Sequence, residues 1–246
     1  MGTIKLTAAP EGYEASKNLI QSYQSMIGGL MWPATQSRPD IAFPVGRYLC
    51  KPTEDHFQAA KRILCYLKGT HSYSICFTSS DSLSLTGYVD ASHADDVDMR
   101  RSTGSYVFML AGGAISYKSG RQLIVTLSST EAEYVALTLA AKEAIAVNRL
   151  LKELHNLHLP KDGPVKIFED NQPAIDLTKR PASSDGRTKH IELRWHYIRQ
   201  EINRGNVKVT WIGTNNQAAD GLTKALDHIK FKQFRNLIGL VDFLQS

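Results

Sequence analysis

With 246 residues, 42% of them hydrophobic and 22% charged, the chain is long enough to bury a core and has the composition of an ordinary globular protein. Its net charge of +5 is too modest to indicate a polyanionic partner by itself. The polar start of the chain argues against a signal peptide, and without a run of about 18 apolar residues we expect no membrane span. Three cysteines, Cys50, Cys65 and Cys76, match no zinc pattern and favour reduced thiols in an intracellular protein.

The first part of the chain, to about residue 77, has helical patterns. Ser16 could cap a first helix that runs to about Gly28, and Asp40 could begin a second. A third helix is predicted between Thr53 and Gly69, because apolar residues recur there at helical spacing: Phe57, Ala60, Ile63, Leu64 and Leu67. The Ser- and Asp-rich residues that follow, 78–84, are typical of a linker.

The rest of the chain predicts the order strand, strand, strand, helix, strand, helix, helix, strand, helix, which is typical of an α/β domain. Predicted strands cover residues 83–89, 106–110, 114–117, 165–168 and 207–211. Predicted helices include a long one at about 129–157, one with a stripe of Ile191, Trp195, Ile198 and Ile202, and a last one beginning near Asn216. We expect Trp195 and Trp211 to lie in the core.

Four carboxylates fall at the ends of these elements. Asp90 ends the first strand in YVDAS, and Asp170 follows a later strand in IFEDNQ. Glu133 lies one turn into the long helix, and Asp220 opens the last one. Each alone is explained as a solvated turn residue or a helix cap. Four together at one end of a sheet would repel each other, and hard cations such as Mg²⁺ would offset that charge.

Two such metals suit the attack of water on a phosphodiester. Mn²⁺ could substitute for Mg²⁺. The carboxylates therefore predict a metal-dependent phosphodiesterase site.

These motifs resemble a known family. A close resemblance to the ribonuclease H domain of copia-type LTR retrotransposon Pol polyproteins begins at YVDASHADDVDMRRSTGSYVFMLAGGAISYKSG and continues through SSTEAEYVAL, EDNQPAI, KHIELRWHYIR and QAADGLTK. An earlier segment resembles the reverse-transcriptase thumb and connecting region of the same polyproteins. It reads YQSMIGGLMWPATQSRPDIAFPVGRYLCKPTEDHFQAAKRILCYLKGT. The resemblance covers essentially the whole chain.

The resemblance implies a ribonuclease H-like mixed sheet flanked by helices and preceded by a small helical region. Residues 1–79 would be the thumb-like region, 80–228 the ribonuclease H-like domain and 229–246 a C-terminal tail. The implied activity is endonucleolytic cutting of the RNA strand of RNA–DNA hybrids with two Mg²⁺ ions. The implied partners are the hybrid and the rest of the Pol polyprotein, in cytoplasmic virus-like particles.

The family's catalytic and metal-binding quartet falls on Asp90, Glu133, Asp170 and Asp220. Glu131 points about 200° away from Glu133 on a helix, so both cannot face the metals. The match to the AEY motif favours Glu133. Glu131, in the first turn, is explained by the helix dipole.

Substrate contacts are predicted more loosely. Ser92, Asn171 and Gln172 adjoin the carboxylates, and Lys189, His190 and Arg194 lie on the KHIELRWHYIR helix. The last three either contact hybrid phosphates or form an ordinary exposed basic face. The loop WIGTNNQAAD lacks the His that many ribonucleases H carry before the fourth carboxylate.

The same residues bear on three other functions. A catalytically weak or domesticated nucleic-acid-binding fragment would not need all four carboxylates. Integrase cores lack the Glu on the helix after the first three strands, so Glu133 discriminates against them. Polymerase activity is not expected, because the fingers and palm with their metal-binding aspartates are not in this stretch. A truncation starting near Ser80 should fold and keep some activity.

Overall fold

The structure is a computed structural model that describes residues 6–46, 52–78, 83–94, 101–154, 163–179 and 189–244, with only the backbone for 189–195. Its first elements are α1 (Lys17–Gln36), a 3-10 helix (Pro39–Ile41), α2 (Ala42–Val45), α3 (Glu54–Gly69) and β1 (Tyr73–Ile75). The side chains of Ser16 and Thr53 cap α1 and α3, as predicted. The predicted end of the first helix near Gly28 is wrong. Leu30 and Ala34 are buried in the small core of this region, and that packing continues the helix.

A five-stranded mixed sheet forms the centre of the molecule. Its strands and helices are β2 (Thr86–Ser92), β3 (Thr103–Leu110), β4 (Gly113–Arg121), α4 (Ser129–Glu153), β5 (Val165–Glu169), α5 (Gln172–Lys179), α6 (Lys189–Asn203) and β6 (Val207–Trp211). The strand order is β4-β3-β2-β5-β6. β2, β3 and β4 pair antiparallel, whereas β5 and β6 run parallel to β2. The predicted fold class, a mixed sheet flanked by helices, is confirmed.

Alternating side chains divide the interior into two cores, one on each face of the sheet. Val89 and Phe108 point to the first core, which α4 and α6 cover. Their neighbours Tyr88 and Val107 point to the second core, on the opposite face. The side of the sheet on which a functional group lies therefore follows from its position in this alternation.

The chain after β6 covers the second face. It forms short 3-10 helices at Thr214–Asn216 and Asp220–Leu222, then α7 (His228–Leu237) and β7 (Leu240–Asp242). The predicted helix beginning near Asn216 is wrong. The hydroxyls of Ser105 and Ser119 donate hydrogen bonds to the carbonyls of Ala219 and Leu222, so the sheet satisfies backbone groups that a longer helix would have paired.

Contacts cross both predicted domain boundaries. β1 pairs antiparallel with β7, and Tyr73 and Ile75 pack against the second core. Gly239 adopts a φ of +73° beside the backbone of Gly112, where a side chain would collide. The division at residues 79/80 and 228/229 remains a prediction.

Trp211 is 56% exposed, so its predicted place in the core is wrong, because β6 is an edge strand. Among the described helices, none combines the length and apolarity needed to cross a membrane. The burial of Trp195 lies outside the described side chains.

Candidate metal centre

Three carboxylates meet at one end of the sheet. Asp90 lies near the end of β2, Asp170 directly follows β5, and Glu133 projects from the start of α4. One oxygen from each can be chosen so that all three lie within 4.8 Å of one another. Asp90 and Glu133 are buried and Asp170 is partly buried. Parallel β2 and β5 bring their carboxyl ends together, which is why residues 80 positions apart in sequence become neighbours.

The start of α4 explains which glutamate joins this cluster. The Ser128 hydroxyl accepts a hydrogen bond from the Glu131 backbone N–H, and the Glu131 carboxylate accepts one from Leu127 N–H at 2.6 Å. Glu131 therefore caps the helix. Glu133 points the other way, into the cluster, as its position on the helix predicts.

A fourth carboxyl group, Glu169, is buried against the cluster. Val165, Ile167 and Glu169 alternate toward the α4 side of the sheet, and Glu169 is fully buried. One of its oxygens accepts a hydrogen bond from Asn171 N–H at 3.0 Å. Its other oxygen and one oxygen of Glu133 have no hydrogen-bond partner among the described residues.

Burial and mutual repulsion raise the pKa values of these acids above their ordinary values. Burial, followed by the charges of Glu169, Asp90 and Asp170, raises the pKa of Glu133 to about 11. Burial also raises the pKa of Glu169 well above its usual value. The pKa of Asp90 rises to about 6, first through burial and then through the charge of Asp220. Such concentrated like charge is unfavourable for folding and is typical of a functional site.

Asp220 lies beside the three-carboxylate cluster rather than within it. Its carboxylate forms an ion pair of 2.7 Å with the Lys224 ammonium group. Burial raises the pKa of Asp220, while Lys224 opposes that rise. Burial alone would lower the pKa of Lys224, but the carboxylates of Asp90, Asp220 and Asp170 outweigh it and raise that pKa. Next to this pair, the Thr223 hydroxyl donates a hydrogen bond to Asp90.

The loop after β6 is fastened to the strands that carry the acids. The Gln217 side-chain amide donates to the Val89 carbonyl at 2.9 Å, and the Thr214 hydroxyl donates to Asp170 at 2.8 Å. These contacts place the loop that lacks the expected His directly at the carboxylates.

The donor set fits a divalent cation. Buried carboxylate oxygens without hydrogen-bond partners need a positive charge, and an all-oxygen set is the kind that Mg²⁺ and Mn²⁺ prefer. Asp90, Glu133 and Asp170 would be the ligands, with Asp220 at the edge.

Sequence reasoning missed three contributors: Glu169, Thr223 and Lys224. A carboxylate in line with buried Val165 and Ile167 was the available signal for Glu169. For Thr223 and Lys224 the signal was their spacing of three and four residues after Asp220 in ADGLTK, which places them on the same side of a helix as Asp220.

The predicted substrate-binding residues are dispersed. Ser92 ends β2, and Asn171 accepts a hydrogen bond from Ala174 N–H at the start of α5. Gln172 donates to Asp176 on an exposed surface. Lys189, His190 and Arg194 lie in α6, but their side chains are outside the described residues. Their roles remain predictions.

Fold and site together define the class: an α/β protein with a five-stranded mixed sheet and a carboxylate cluster at the end of its central strands. No protein-family model matches the chain. Among solved structures, the N-terminal RNase H domain of rv2228c from Mycobacterium tuberculosis, determined as a maltose-binding-protein fusion, matches with a TM-score of 0.38 and 12% identity, over 58% of this chain and 91% of that chain.

Sequence comparison identifies the family. The retrovirus-related Pol polyprotein from transposon TNT 1-94 of Nicotiana tabacum is 42% identical over 245 residues, which are 97% of this chain and 18% of that protein. The corresponding polyprotein from transposon RE2 of Arabidopsis thaliana is 37% identical over 222 residues, 89% of this chain and 15% of that protein. The chain belongs to this family of copia-type Pol polyproteins, and it spans less than a fifth of the length of these curated relatives.

Proposed function

We propose that this chain is a ribonuclease H domain that hydrolyses the RNA strand of RNA–DNA hybrids during retrotransposon reverse transcription. The observation that carries the proposal is the meeting of Asp90, Glu133 and Asp170 within 4.8 Å. The homology to Pol polyproteins supports reverse transcription as the process in which this activity would act, because copying an RNA template into DNA produces RNA–DNA hybrids. The proposed partners are the hybrid and the rest of the polyprotein, and the proposed location is a cytoplasmic virus-like particle.

The chain's own residues prepare the centre for phosphodiester hydrolysis. Asp90, Glu133 and Asp170 would hold divalent cations, with two Mg²⁺ ions proposed and Asp220 at the edge of the set. When bound, such ions neutralise charge on the phosphodiester and supply an activated water. Thr223 and Thr214 orient Asp90 and Asp170 through their hydroxyl hydrogen bonds. Oriented ligands of this kind hold a metal centre in a defined geometry.

The matched glutamates of α4 test the proposal. Glu133→Gln should reduce cleavage of a labelled RNA–DNA hybrid by orders of magnitude in Mg²⁺, because it removes a charged ligand without changing shape. Glu131→Gln should retain activity and lose at most about 1 kcal/mol of stability, because it alters only the helix start. A gel assay of 5′-phosphate products and thermal unfolding measure the two effects.

Three results would contradict parts of the proposal. Cleavage that persists in excess EDTA would exclude a metal-dependent mechanism. An inactive Glu131→Gln variant beside an active Glu133→Gln variant would reverse the assignment of the two glutamates. Tight hybrid binding without any cleavage by the unsubstituted chain would favour the domesticated nucleic-acid-binding fragment.

A further inference from the structure

A small crevice with both polar and apolar walls opens beside the carboxylates, between the loop after β6 and helix α7. Its polar lining consists of Thr214, Asn215, Gln217, Asp220, Lys230 and Gln233. Two of these residues connect it directly to the candidate metal centre. Thr214 donates its hydroxyl hydrogen bond to Asp170, and Asp220 lies at the edge of the carboxylate cluster.

Hydrogen bonds and close packing hold the walls of this crevice in place. The Gln233 side-chain amide donates to the Asn215 carbonyl at 2.7 Å, which ties α7 to the loop. Gln217 is buried and anchors the same loop to β2. On the other side, the ring of Phe234 packs so closely on Gly221 that a side chain there would overlap it. Helix α7 is therefore held against the turn that carries Asp220.

The charge in this crevice is incompletely balanced. Asp220, the acidic residue in its lining, already pairs with Lys224. Lys230 is exposed, and its positive charge reaches Asp220. Among the residues that the structure describes, no carboxylate lies within ion-pair distance of the Lys230 ammonium group. A cation in this position, with side-chain amides beside it, suits an anion.

We propose that this crevice, with Lys230 as its cation, binds a backbone phosphate of the nucleic acid next to the phosphodiester that is cut. The inference rests on the proposed function and extends it. It assigns the substrate contact to α7, in the segment that the sequence analysis treated as a tail. It also places a cation beside the loop that lacks the expected His.

Helix α7 offers a matched control for Lys230. Residues 230, 233, 234 and 237 lie on the face that lines the crevice, at helical spacing. Lys232 is equally exposed but points about 200° away from Lys230 on the helix. Lys230→Gln and Lys232→Gln therefore remove the same charge from opposite sides of one helix.

The experiment measures equilibrium binding of a fluorescein-labelled RNA–DNA hybrid to the full chain in EDTA, over a series of salt concentrations. One phosphate contact contributes about 0.9 to the slope of log affinity against log salt. Lys230→Gln should reduce the slope by about that amount. A fourfold rise in salt should then weaken binding by the unsubstituted chain about 3.5-fold more than binding by the variant. Lys232→Gln should leave the slope unchanged.

The outcomes separate this inference from the proposed function. If the unsubstituted chain cleaves the hybrid but Lys230→Gln has an unchanged slope, the crevice is not a phosphate site and the proposed function stands. An equal loss in both variants would also overturn the inference, since it would indicate diffuse charge attraction. A selective loss in Lys230→Gln without hybrid cleavage by the unsubstituted chain would support the crevice and contradict the nuclease. No hybrid binding at all would overturn both.

Discussion

At the scale of single residues, the candidate centre lowers the stability of the fold. Glu133 and Glu169 bury carboxyl oxygens without hydrogen-bond partners among the described residues, and Asp90 is also buried. Each is adverse for stability when ionised, because burial and like charge both disfavour the anion. A sequence that only had to fold would be more stable with apolar or amide side chains here. The cluster therefore reflects a requirement of function.

This cost predicts a pH dependence for the metal-free protein. The pKa of Asp90 rises from 3.8 to about 6 on folding, so the folded chain retains a proton that the unfolded chain releases. The stabilising effect of that proton is complete below pH 3.8 and is lost between pH 3.8 and 6, on the order of 3 kcal/mol. Asp90→Asn should lack this pH-dependent loss in the free energy of unfolding, because the amide does not ionise. Urea unfolding of both proteins in EDTA at pH 4, 5, 6 and 7 measures the difference.

Glu153→Gln serves as the control for this experiment, because Glu153 is an exposed acid in a surface ion pair with Arg149. Its stability curve should run parallel to that of the unsubstituted chain. If the curve for Asp90→Asn is equally parallel, Asp90 is not held neutral by the fold.

At the scale of elements, α7 connects the second core to the turn that carries Asp220. Phe234 and Ile238 are buried in that core, and Phe234 lies against Gly221. Helix α7 thus supports the edge of the candidate centre and one wall of the adjoining crevice. Residues on the opposite side of the helix, such as Ile229, contribute little to this packing, since Ile229 is 79% exposed.

Two substitutions on α7 test this role. Phe234→Ala should lower the free energy of unfolding by roughly 3–5 kcal/mol, because it leaves a cavity in the second core. Ile229→Ala should change it by no more than about 0.5 kcal/mol, because that side chain is exposed. Urea unfolding measures both. Similar small effects from the two substitutions would show that α7 is only loosely attached.

At the scale of the whole molecule, the N-terminal helices are joined to the rest through polar and apolar contacts. Arg38 and Asp40 form a buried ion pair, and the Tyr66 hydroxyl donates to Asp40 at 2.6 Å. Arg235 of α7 reaches the Tyr66 hydroxyl at 3.4 Å. The Arg235 contact and the packing of the Phe231 ring on the Tyr66 ring, with centroids 5.7 Å apart, therefore link α7 to the N-terminal helices.

Truncation tests how independent the parts are. A chain starting at Ser80 loses β1, which exposes its partner β7 and removes Tyr73 and Ile75 from the second core. We expect it to be less stable than the full chain by roughly 2–4 kcal/mol, judged from the two lost apolar side chains. A chain starting at Ser16 should match the full chain, because residues 6–15, the described part of the removed segment, are irregular and mostly exposed. Thermal unfolding compares the three.

A Ser80 chain as stable as the full chain would favour the independent domain that the sequence predicts. Residual hybrid cleavage by that chain, measured with the same gel assay, would show whether its centre still forms.

The sequence by itself determined the local features. Periodicity and caps placed α3, the long helix α4 and the five strands of the central sheet, because these depend on neighbouring residues. The AEY match and the helical angle separated Glu133 from Glu131. Motifs also identified the family, since a long ordered set of residues needs no geometry to be recognised.

Tertiary structure alone decided which distant groups meet. The burial of Glu169 against Glu133 depends on β5 lying beside β2 and beneath α4. The hydrogen bond from Thr223 to Asp90 joins residues 133 positions apart in the sequence. Asp220 begins a 3-10 helix where an α-helix was predicted, and serine hydroxyls from β3 and β4 donate hydrogen bonds to backbone carbonyls of this turn. Trp211 proved exposed because its strand lies at the edge of the sheet. Strand order and side-chain hydrogen bonds between distant residues leave no periodic trace in a single sequence, so only the folded chain reveals them.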